Sequence, residues 1–192
     1  MSFCGEVRKR ERTFEKNIGE QRLSENKPKG WFTRHAESEA KKDVMKLSEI
    51  AGEVIGVFCI LIVLIFFIAH QTSSTGFFTS KFGSLEQFLF YGSLSFGIIT
   101  SVGKIIVGRK NTIRPLDAFG ALFSCVALVQ LLHVFPFNFA HLADILPEIL
   151  RLITLWISND IAKIFMILGI ICSLATALYD IALYLSIRRT RS

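Results

Sequence analysis

Two charged residues stand where a bilayer would make them costly, so the search for chemistry starts with them. Asp180 lies inside the apolar stretch 161–186, and Lys104 lies just inside the end of the stretch 87–107. An acid and a base at matching depth can form an ion pair that fixes helix register, or one step of an ion or proton path. Asp180 is about seven residues from the end of its helix, roughly 10 Å along the axis. Lys104 is expected at a similar depth, so the prediction is an Asp180–Lys104 pair or a hydrogen-bonded cluster with Tyr179, Tyr184 or Thr176. The register role is favoured, because a relay needs a second deep acid.

His133, His141 and Asp144 form the other candidate group. Imidazole and carboxylate together suit zinc or copper. Their spacing matches no metal motif and Pro136 interrupts it, so no metal or cofactor is expected. No Gly-rich phosphate loop, His-Glu-x-x-His or Gly-x-Ser-x-Gly occurs. Ser124 and His133 are too far apart on one helix for proton transfer. The chain is therefore not expected to be an enzyme.

These residues have to be positioned by membrane helices. Half of the composition is apolar (51%), and charge is segregated: residues 1–48 hold 12 of the 22 Lys/Arg and 8 of the 16 Asp/Glu. A soluble domain scatters its charges along amphipathic elements; a charged tail followed by apolar runs indicates membrane spans. The net charge of +6 is no nucleic-acid footprint, since basic and acidic residues interleave in the tail. Cys4, Cys59, Cys125 and Cys172 lack metal-ligand spacing and read as unpaired thiols. The first apolar run begins near residue 50, too late for a cleaved signal, so it is expected to act as a signal anchor.

The expected fold is all-α, a polytopic membrane protein built as a four-transmembrane-helix bundle. Residues 1–36 are expected to be a charged, mostly mobile tail, with Trp31 and Phe32 at headgroup level. Residues 37–49 are predicted to form an amphipathic helix running straight into span 1. The spans are placed at about 50–69, 87–107, 116–135 and 161–186, with Pro115 as the first helical residue of the third. An outer interfacial helix is predicted over about 141–158, and 188–192 is a basic tail. Small residues at four-residue steps mark packing faces: Gly52 and Gly56 in span 1; Ser93, Gly97 and Ser101 in span 2; Gly169, Ser173 and Ala177 in span 4. The last two faces are expected to meet.

Basic residues set the orientation. Nineteen Lys/Arg fall in the N-terminal tail, the 104–115 turn and the C-terminal tail; the other side has Lys81, Arg151 and Lys163. This predicts a multi-pass protein of the cell membrane with both termini cytoplasmic. The layout is shared by many unrelated small membrane proteins, so it carries no function. The expected role is a structural or interaction (accessory) protein of a membrane assembly. Its partners would be the lipid bilayer, other membrane proteins or itself, and no nucleic acid. The alternative is a transporter or channel component whose pathway forms in an oligomer, lined by Ser93, Gly97, Thr100, Ser101 and Asp180.

Overall fold

The structure, a computed structural model, describes residues 30–148, 151, 154 and 156–191. It is all-helical. Among the described residues five α-helices follow in order: α1 (Trp31–Lys41), α2 (Leu47–Thr72), α3 (Ser84–Val107), α4 (Lys110–Val134) and α5 (Asn159–Arg191), with a 3-10 turn at Phe139–His141 and helical residues also at Glu148, Arg151 and Thr154. The last four are long and apolar enough to cross a membrane.

The four long helices form an open row. Helix α2 packs on α3, α3 on α4, and α4 on α5, while α1 lies against α5. Large side chains enter glycine gaps at each step. Ile60 of α2 reaches Gly97, and Leu128 of α4 reaches Gly169. A β-carbon at Gly120 would lie 2.7 Å from the Phe96 ring, so that crossing tolerates no side chain.

This corrects the expected meeting of spans 2 and 4. Gly169 faces Leu128 of α4, and α3 and α5 are not a packed pair among the described residues. The Ser93, Thr100 and Ser173 hydroxyls do not join helices either. Ser93 donates to the Phe90 carbonyl (2.9 Å), Thr100 to Gly97 (3.0 Å) and Ser173 to Ile170 (3.0 Å), each within its own helix. Gly52 and Gly56 have nothing within 4 Å, so the first small-residue face is open.

The helix expected over 37–49 is not one helix. Residues 31–36, expected in the tail, belong to α1, which ends at Lys41. Its Ala36 is buried against Leu183 and Ile187 of α5, and His35 Nε2 meets Tyr179 Oη at 3.0 Å. Residues 42–46 then form a non-helical link. Val44 bridges Arg109, the Met45 amide donates to the Gly108 carbonyl (3.0 Å), and the Lys110 amide donates to the Asp43 carbonyl (3.0 Å). The Asp43 carboxylate accepts from the Asn111 amide (3.0 Å), serving the start of α4 from across the bundle. Local preference for helix over 42–46 yields to this distant pairing. Residues 1–29 lie outside the described residues.

At the opposite end the loops between helices interlock. Phe78 bridges Phe137, the Thr79 amide donates to Pro136 (2.9 Å) and the Asn138 amide donates to Phe77 (2.7 Å). Phe77, Phe82, Leu131, Phe137 and Leu142 form a buried cluster beneath them. Gly76 takes φ +88°, and its bare α-carbon leaves room for the His141 ring. Residues 139–146 are a 3-10 helix and turns, while Glu148, Arg151 and Thr154 within the helix expected over 141–158 are helical. Of that expected helix, residues 149, 150, 152, 153 and 155 lie outside the described residues.

Candidate functional site

Most charged residues of the four long helices gather at the end where α1 lies; Glu86, Asp160 and Lys163 stand at the other. The reason is local. Helix α4 begins at Lys110, five residues before Pro115, so what reads as a basic turn is the first turns of a helix. Lys110, Arg114 and Asp117 are then spaced at i, i+4 and i+7 and share one face. Pro115 lacks an amide, so the Asn111 carbonyl receives no bond from it.

Three ion-pair groups result. Lys104 Nζ lies 3.2 Å from Glu53 and 3.1 Å from Asp117, joining α2, α3 and α4. Arg114 Nη1 lies 3.5 Å from Asp180, joining α4 and α5. Lys110 Nζ lies 2.6 Å from Glu49. The predicted Asp180–Lys104 pair is thereby corrected. Both residues do face one cavity, but Asp117 and Glu53 hold the lysine and Arg114 holds the aspartate. In the sequence Arg114 reads as one residue of the 104–115 turn. The signal that would have found Arg114 is its four-residue spacing from Lys110.

The cavity among these groups is about 450 Å³. Glu49, Glu53, Asp117 and Asp180 supply four carboxylates; Lys104, Lys110 and Arg114 supply three cations; Met45 and Thr176 complete the lining. Arg114 also borders a second cavity of about 250 Å³ with Asn111, Tyr184 and Arg188. Arg114 is only 8% exposed, yet among the described residues its Nε has no partner, and neither does the buried Asn111 Oδ1.

The phenylalanine end carries different chemistry. His70 is buried, with Nε2 donating to the Leu142 carbonyl (3.1 Å) and Nδ1 against Thr75 Oγ1 (2.7 Å). Both ring nitrogens are occupied, which makes it a structural clasp. His141 pairs with Asp144 at 2.9 Å, Asp144 meets Arg151 at 3.7 Å, and His133 is exposed. Among the described residues, no three His, Cys, Asp or Glu side chains converge as a metal site.

The fold and site define an all-helical chain with four helices fit to span a membrane and an ionic cavity at one end. No protein-family model, curated protein or solved structure matches it.

Proposed function

We propose that this is a multi-pass cell-membrane protein with cytoplasmic termini that serves as a structural or interaction subunit of a membrane assembly. One observation carries the role: the unpacked side of α2. Val54, Ile55, Phe58, Ile62 and Ile65 are exposed along it, and the Gly52–Gly56 notch is empty. Association between membrane helices depends on close backbone approach, which such a notch permits. In mild detergent, light scattering is expected to report a complex with a different membrane protein. Gly56→Leu should release this chain from it. A protein that remains a single chain under every gentle extraction overturns the proposal.

A second reading, a transporter or channel component, is favoured by the ionic cavity shared by all four long helices. The phenylalanine cluster fills the other end of one chain, so that pathway would need an oligomer. A homo-oligomer whose ion leak in vesicles stops with Asp180→Ala would establish it.

The orientation rests on the excess of basic residues at the charged end. An impermeant maleimide should label Ser80→Cys in intact cells, and Cys4 only after permeabilisation. Labelling of Cys4 in intact cells would reverse the orientation.

A further inference from the structure

We propose that the ionic cavity binds a zwitterionic phospholipid headgroup, one with a phosphate and a primary ammonium, entering sideways between α2 and α5. Three observations lead there. First, among the described residues Arg114 is buried with an unpartnered Nε, and its ion pair there is a long one to Asp180. A guanidinium offers five N–H donors in a fork, so Arg114 has donors to spare for a phosphate oxygen.

Second, the cavity holds four carboxylates against three cations. A bare phosphate would deepen that negative excess. A simple cation would balance it but leave the guanidinium donor unmet. A zwitterion satisfies both ends: the phosphate accepts from Arg114, and the ammonium donates to a carboxylate such as Glu49 or Asp180. The volume is in the range of small-ligand sites, about 300–1,000 Å³.

Third, α2 and α5 are not packed on each other among the described residues, although both line the cavity. Beyond Glu53 and Asp180 both helices are apolar for several turns. An acyl chain attached to the headgroup would continue along that gap. Lys104 is three residues from the end of α3, about 5 Å of rise, which sets the site near headgroup level.

The site adds a ligand to the partner role above. Lipid retention is read on the isolated chain and complex release on the assembly, so either can fail alone. The test uses the full chain, delipidated in detergent and offered phosphatidylethanolamine, phosphatidylcholine or phosphatidylglycerol, with retained lipid read by native mass spectrometry. Phosphatidylethanolamine should be held about tenfold more tightly than the other two, because one lacks N–H donors and the other lacks the cation. Arg114→Lys keeps the charge facing Asp180 but removes the fork, and should weaken retention of all three lipids about tenfold, because each carries the phosphate. Equal retention of all three lipids by the wild-type chain overturns the proposal even if the variant does not fold. So does a folded Arg114→Lys chain that retains the three lipids as tightly as the wild type. Soluble glycerophosphoethanolamine is the remaining arm. It should compete poorly, and competition equal to the lipid overturns the lipid source.

Discussion

Phe77→Ala should lower stability by about 3–5 kcal/mol, the usual cost of truncating a fully buried aromatic side chain. Thermal unfolding of the purified protein in detergent measures it. Phe77 has no exposed surface, and its ring centroid lies 5.5 Å from Phe67, 4.9 Å from Phe78, 5.6 Å from Phe137 and 5.2 Å from Phe139. Those rings come from α2 and from both interlocked loops. Removing the central ring strips contacts from all three segments at once, and aromatic pairs contribute about 0.5–1.5 kcal/mol each beyond burial. Phe88→Ala is the control. Phe88 is 65% exposed, so its truncation should change stability by less than about 0.5 kcal/mol. Equal effects from the two variants would show that the phenylalanine cluster does not hold that end together.

Lys104→Met should cost about 3 kcal/mol, measured by the same unfolding. Methionine keeps most of the stem, so the loss isolates the ammonium. Without it, Glu53 and Asp117 face each other without a shared counter-ion, with side chains only 24% and 19% exposed. Removing one member of a buried ion pair costs about 3–5 kcal/mol, mainly because a charge is left uncompensated. The low end applies, since the lysine side chain keeps 21% exposure. Adding Asp117→Asn to Lys104→Met should recover part of the loss, because one of the stranded charges goes. A double variant no more stable than the single would show that Lys104 acts through packing and not through charge.

The spans were legible because apolar length alone specifies them. Val57–Ile68 admits no other reading, and α2 and α5 contain the stretches expected. The charged depth of the site was partly legible too: Asp180 and Lys104 stand out against apolar neighbours, and both reach the cavity. Their partners were not legible, for a specific reason. Arg114 reads as a loop residue as long as Pro115 is taken as the first helical position. Pairing of the 42–46 link with residues 108–111 meets the earlier start of α4, and its Asp43–Asn111 contact is 68 residues apart in sequence. Helix adjacency was misread because small residues show that a face can be approached closely, but not by which neighbour. Gly169 accepts Leu128, a large side chain, where a matching small-residue face had been expected.

The clasp around His70 has a consequence for how the protein is made. Its ring, on α2, bonds to the carbonyl of Leu142, which the ribosome adds 72 residues later. Phe77 likewise depends on Phe137 and Phe139. In the membrane arrangement proposed above, the first helical hairpin therefore enters the bilayer with its connecting loop unfinished. That loop closes only when the segment after α4 arrives on the same side of the membrane. Synthesis order thus gives the newborn chain an interval in which a histidine and a cluster of phenyl rings stand open at the surface. The open interval ends when the third apolar helix has crossed.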